Sequence, residues 1–343
     1  MSSLVYRTVA PFVILIGLSI AHAEPIRIPK LPPGEGDGLT AAIELSDIVT
    51  NAIVRNDFER VEEALTYYAK TKERMDDGRW LLSFVRAGIE SSIDGSNLDR
   101  TFFRIADWKK KVPGSVGAVF YEFAYWNHYA WNARGGGYAS TVTEEGWKLF
   151  RERLLKAEAA LTGSKTYASE NPEWYVLYLR CALVLDWTLE ERVRLFAEAV
   201  KREPYYYETY FAMVQGFSPK WGGDYALVAK LADEAIRATQ KEDGTSMYAR
   251  IYWNLSQNEG IDVDIFKDVG ASWPRMKKGF EELQARYPDV YRMSNVFAAF
   301  ACRARDKEAF LKLLPIIQTR PYPDVWPTNY SFDLCIRMFT KES

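Results

Sequence analysis

Histidine is nearly absent: the 343-residue chain holds two, His22 and His128. With one imidazole left after an N-terminal leader, a two-histidine metal site and any HExxH helix are excluded. GxSxG, CxxC and Walker-type phosphate loops are missing too, so the motif-bearing hydrolase, redox and nucleotide-binding classes lose their usual signatures. Cysteine is scarce, with Cys181, Cys302 and Cys335 only. Three cannot build a disulfide framework, and an odd number leaves at least one thiol free or paired between molecules. Charge of one sign is lacking as well. The formal net charge is −2, or −3 without the leader (43 basic minus 46 acidic), which gives no bulk attraction for nucleic acid. No stretch alternates apolar and polar residues as a half-buried strand does.

Long apolar runs are limited to the first residues. Arg7 precedes 12 mostly apolar residues, Val9 to Ile20, followed by the small-x-small triplet Ala21-His22-Ala23. That pattern predicts a secretory signal peptide over 1–23 and a mature chain beginning at Glu24. The run is interrupted by Pro11 and Gly17 and is shorter than the ~20 residues a spanning helix needs. Export is therefore expected, to the periplasm in a Gram-negative source and otherwise to the medium, with no membrane insertion once the leader is removed. Residues 24–38, EPIRIPKLPPGEGDG, carry four prolines and three glycines and predict an extended linker. Its GEGDG has prolines where a phosphate loop needs a strand.

Apolar residues then recur every three to four positions, predicting one helical domain over 39–343. Fifteen helices are predicted, with Asp76-Asp77-Gly78, Val112-Pro113-Gly114, Asn171-Pro172, Glu203-Pro204 and Tyr287-Pro288 among their stops. Around Glu203-Pro204, the helix ending Leu195, Phe196, Ala199, Val200 hands over to one marked by Tyr206, Tyr210, Met213 and Phe217. This αα-hairpin pattern predicts an all-α, tetratricopeptide-like αα-hairpin repeat solenoid, whose hairpins bury their apolar faces by stacking. Pro172 and Pro204 lie 32 residues apart, close to the ~34-residue period, whereas Pro204 and Pro288 lie 84 apart, so insertions interrupt the array. Residues 279–314 form the clearest single unit.

The strings GGGYASTVTEEGW, PEWYVLYLRCALVLDW, REPYYYETYFAMV, SPKWGGDY and RMKKGFEELQARYP resemble an uncharacterised bacterial family, a domain of unknown function with tetratricopeptide-like helices. The resemblance spans Gly135 to Lys312. It implies the helical fold and carries no catalytic residue.

Two similar loops stand out. Arg134-Gly135-Gly136-Gly137-Tyr138 and Lys220-Trp221-Gly222-Gly223-Asp224-Tyr225 each set a cation, adjacent glycines and a tyrosine between two helices. Glycine there means either a crowded corner or a ligand rim of aromatic and cationic groups with open backbone N–H. On either account, valine at Gly136 or Gly223 is expected to destabilise the fold, since a β-branched residue does not easily adopt positive φ. Tyr121, Tyr125, His128 and Asn132 form one stripe of a nearly all-apolar helix, which is either core or the wall of a groove. These residues, with Arg134, Tyr138, Lys220, Trp221, Asp224 and Tyr225, are the candidate ligand-binding set. No catalytic residue, metal or cofactor is expected. Thr143 with Glu144 and Glu145, and Lys109 to Lys111, read as ordinary helix-end chemistry. Glu90-Ser91 offers the Glu-Ser pair of lytic transglycosylases, yet the downstream residues lack the rest of that pattern. Cys302 and Cys335, 33 residues apart, are the pair placed to bridge if any does. The function expected is a non-enzymatic, exported binding scaffold for a protein or peptide in the cell envelope. A cell-envelope polymer hydrolase or lytic transglycosylase-like enzyme is one alternative, and a structural component of an envelope assembly another.

Overall fold

The computed structural model describes residues 26–27, 38–260 and 263–340. The expected leader, 1–23, and nearly all of the expected linker lie outside them. Where the linker is described it is anchored: Ile26 is buried, and the Arg27 guanidinium sits 4.7 Å from the Tyr67 ring centroid.

Fifteen α-helices make up the described chain. They are α1 Gly38–Val54, α2 Phe58–Thr71, α3 Leu82–Ser91, α4 Leu98–Lys111, α5 Val116–Arg134, α6 Glu144–Ala168, α7 Glu173–Val184 and α8 Leu189–Arg202. α9 Tyr207–Gln215, α10 Ala226–Asp243, α11 Ser246–Asn258, α12 Trp273–Arg286, α13 Tyr291–Arg303, α14 Lys307–Thr319 and α15 Phe332–Thr340 follow. No strand occurs among the described residues, and a single antiparallel bridge joins Arg74 to Trp80. None of these helices is long and apolar enough to cross a membrane.

The ends follow local chemistry. Asn97, Ser115, Thr143, Thr188 and Asp306 each accept a backbone N–H of the first turn, and Thr188 forms a reciprocal capping box with Glu191. Gly135, at φ 75°, ends α5 in a conformation that favours glycine.

Two layers result from the difference between apolar and amphipathic helices. α1, α3, α5, α7, α9 and α11 touch in succession as an inner layer, α2, α4, α6, α8, α10 and α12 pack on it, and α14 packs on α13. α7 (EWYVLYLRCALV) is buried over almost its whole length, as is α13 from Met293 to Cys302. By contrast α8 buries only Leu195, Phe196 and Ala199, so one stripe faces inward and its charged face stays in water. A disulfide between Cys302 and Cys335 fastens α15 to α13, while Cys181 stays free and buried.

A strap closes the inner layer. The α2–α3 connection, 72–81, lies against residues 131 to 173 positions later in the chain. Lys72 pairs with Glu203 at 2.9 Å, Arg74 Nη1 donates to the Tyr207 hydroxyl at 3.1 Å, and Arg250 Nη2 donates to the Asp77 carbonyl.

Candidate functional site

The helical stripe on α5 divides between inside and outside. Tyr121 is fully buried; its hydroxyl accepts from Arg104 Nη1 at 3.1 Å and its ring tilts against Trp108. Tyr125 is buried among Phe102, Trp126 and Tyr129. Neither presents a surface to a ligand, because α4 and α6 cover α5 on both sides. His128 is half-buried beneath the 93–97 turn, where a Cβ on Gly95 would come within 2.6 Å of its Nε2. Asn132 is exposed.

The glycine corners occupy equivalent turns, one joining α5 to α6 and the other α9 to α10, and their charges are engaged locally. Arg134 Nη1 donates to the carbonyls of Gly135 and Gly137 at 3.0 and 3.1 Å. Its guanidinium lies 5.2 and 5.3 Å from the Trp131 and Trp147 rings. Tyr138 is 86% exposed at the tip. In the second corner Lys220 Nζ donates to the carbonyl of Asn258, the last residue of α11, where a cation suits the helix dipole. Asp224 Oδ1 accepts from Ala226 N at 2.8 Å at the start of α10, Trp221 is 37% exposed, and Tyr225 is half-buried. Burial and a bond to Glu259 push the Tyr225 hydroxyl above its ordinary range.

The glycines differ from the expectation in one respect. Positive φ falls on Gly135 (75°) and Gly222 (70°), not on Gly136 or Gly223. A Cβ on Gly223 would meet the Gly216 carbonyl at 2.4 Å, so that corner is crowded; Gly136 has open space, which removes the reason for valine to be disruptive there.

Two further groupings escape a motif search. On α3, on α7 and at the residue capping α9, Arg86 pairs with Glu173 at 2.8 Å and with Glu90 at 2.5 Å, Arg180 reaches Glu90 at 3.7 Å, and Tyr206 donates its hydroxyl to Glu173. Glu173 has no accessible surface, and burial raises its carboxyl above the usual range despite Arg86. The crowding of Arg86, together with burial, lowers Arg180. Such a group locks three helices together, since the carboxylates are already neutralised and the inner one is out of reach of solvent. No sequence signal marks it, because Arg86, Glu173 and Tyr206 are scattered along the chain.

The second grouping is an open groove of about 290 Å³ where α6 and α8 both lean on α7. Its floor is Trp174, Tyr178, Trp187 and Leu195. Trp174 and Tyr178 meet edge to face at 5.0 Å, Tyr178 and Trp187 at 5.1 Å, which makes a rigid aromatic surface. Hydrogen bonds fix the polar tips: Trp174 Nε1 donates to the Leu161 carbonyl and Trp187 Nε1 to Glu158, both at 3.0 Å, while Tyr178 and Thr162 hydroxyls share a 3.0 Å contact. The rim is charged. Lys165 on α6 reaches over α7 to Glu198 on α8 at 3.0 Å, and Glu191 and Arg194 complete the α8 edge. Glu198 also accepts from Tyr175, whose hydroxyl burial and that bond push up to about 12. The α8 contribution is legible in retrospect: Glu191, Arg194, Leu195 and Glu198 stand at i, i+3, i+4 and i+7 of one face.

Among the described residues no group of three or more His, Cys, Asp and Glu side chains is placed to hold a metal ion. The chain matches no family model, no curated protein and no solved structure.

Proposed function

We propose that this protein is an exported, non-enzymatic binding scaffold of tetratricopeptide-like hairpins, and that the α6–α8 groove is where it takes a peptide segment. The observation that carries this reading is the groove itself. Three aromatic rings and Leu195 floor an open cleft with charges of both signs at its edge. Aromatic surface with few rotors and a polar rim is the composition of peptide-recognition sites. The alternation of a buried odd layer and an amphipathic even layer supports the hairpin-repeat reading. Export is supported by the leader-like first 23 residues and by the Cys302–Cys335 bridge, since such bonds persist in oxidising compartments.

A second reading, a cell-envelope polymer hydrolase with Glu90 as acid, is favoured by the convergence of Glu90 and Glu173 on Arg86. The complete burial of Glu173 weighs against it.

The test is a random library of free peptides, two to seven residues long, screened in solution against the parent protein and against Leu195→Asp. Leu195 is 8% exposed in the groove floor, so a carboxylate there spoils the apolar surface. Peptides retained by the parent and lost by the variant support the proposal. Equal retention by both removes the groove from it.

A further inference from the structure

The charges around the groove define its ligand more narrowly, and this step rests on the groove being the binding site. We propose that it takes a short zwitterionic peptide, a dipeptide with both termini free and an apolar side chain, rather than the interior of a longer chain. Size sets the first limit. At about 290 Å³ the groove lies just under the range of roughly 300–1,000 Å³ that holds drug-sized ligands, which selects something short.

Charge sets the second. The rim carries Lys165 and Arg194 against Glu191 and Glu198, two of each sign, so it neither attracts a net cation nor a net anion. What it matches is one of each on the same molecule. Two rim groups have capacity to spare. Arg194 is 69% exposed and its contact with Glu190 is loose, at 3.5 Å, leaving a planar donor fork for a carboxylate. Glu191 takes both of its bonds from Thr188, at 2.8 and 2.7 Å, on Oε2, so Oε1 is uncommitted and can accept from an ammonium. Both sit one helical turn apart on α8, beside Leu195 and above Tyr178 and Trp187, where an apolar side chain would lie.

The experiment is isothermal titration of the full chain with the dipeptide Leu-Phe in four forms: free, N-acetylated, C-amidated and doubly blocked. The free form is expected to bind with a dissociation constant on the order of 0.1 mM, the range open to so small a ligand. Each single block should weaken binding by about tenfold or more, as loss of a charged hydrogen bond does. Arg194→Gln should abolish the penalty of C-amidation by having already lost that contact. Glu191→Gln should do the same for N-acetylation, and since glutamine also serves at this capping position the start of α8 is kept.

Three results overturn the inference. Equal binding of all four forms means that the groove reads an internal segment, which leaves the peptide scaffold standing. Binding of the free form that ignores both substitutions places the site elsewhere. No binding of any form at 10 mM, the upper end of the titration at about a hundred times the expected constant, ends it; if the free-peptide library is also blank, the scaffold reading falls with it.

Discussion

Replacing Asp77 by alanine tests the strap most severely. Asp77 is 6% exposed and holds Arg79 twice, through Arg79 Nε on Oδ2 at 2.8 Å and Arg79 N on Oδ1 at 3.0 Å. Its charge also faces Arg250, which is 2% exposed and lies 5.0 Å from the Tyr207 ring. Burial alone raises the Asp77 carboxyl, but Arg79 and Arg250 outweigh it and hold it below the ordinary 3.8. Alanine removes the carboxylate that pairs with Arg79 and faces the buried Arg250 cation, a defect that costs about 3–5 kcal/mol. Removing Arg250 as well (Asp77→Ala with Arg250→Met) should recover part of that loss, because the stranded charge goes with it. Urea unfolding followed by far-ultraviolet circular dichroism reads both. A loss below about 1 kcal/mol for Asp77→Ala would show that the strap does not depend on this carboxylate.

Acid should act through the same group: with its folded pKa lowered, Asp77 stabilises the fold above the unfolded value and loses that contribution as pH falls through the folded one, so Asp77→Asn should flatten the acid limb of the stability profile. Glu62 has the opposite sign. Burial raises its carboxyl although Ser115, Gly117 N and Trp108 all donate to it, so its contribution declines as pH rises through the folded pKa, and Glu62→Gln should flatten the profile on that side. Cys335→Ser opens a loop of 33 residues and should cost about 3–4 kcal/mol, with limited proteolysis releasing α15 first. The Cys181 thiol, buried and pushed up to about 12, should resist a thiol reagent at pH 8 in the native protein, and denatured, unreduced protein should titrate one thiol. Gly223→Val should destabilise by roughly 2 kcal/mol or more while Gly136→Val stays within about 0.5 kcal/mol, as melting temperatures will read.

Helix periodicity carries far because it is local. The break at Glu203-Pro204, the cap at Thr143 and the stop at Gly135 each depend on neighbours within four residues, and the elements they bound are present as expected. Cys302 and Cys335, marked by their 33-residue spacing as the pair to bridge if any did, are bridged. What spacing does not hold is which face of an apolar helix meets another helix. Tyr121 and Asn132 share a stripe of α5, yet one is buried under Arg104 and the other is in water. The groove was hidden for a related reason: Lys165, Tyr178, Trp187 and Glu198 come from three helices and the α7–α8 turn, and each looks ordinary in its own segment. The strap is further still from view, since Asp77 and Arg250 are 173 residues apart.

The most direct test of the scaffold account is a hydrogen-exchange footprint of the protein with a peptide selected from the free-peptide library. The groove predicts that bound peptide slows exchange in 162–198, over the end of α6, α7 and most of α8, and that Trp187→Ala abolishes the effect while an Arg134→Ala, Lys220→Ala double variant keeps it. Protection centred on 134–138 and 220–225, lost in that double variant and retained in Trp187→Ala, would contradict it.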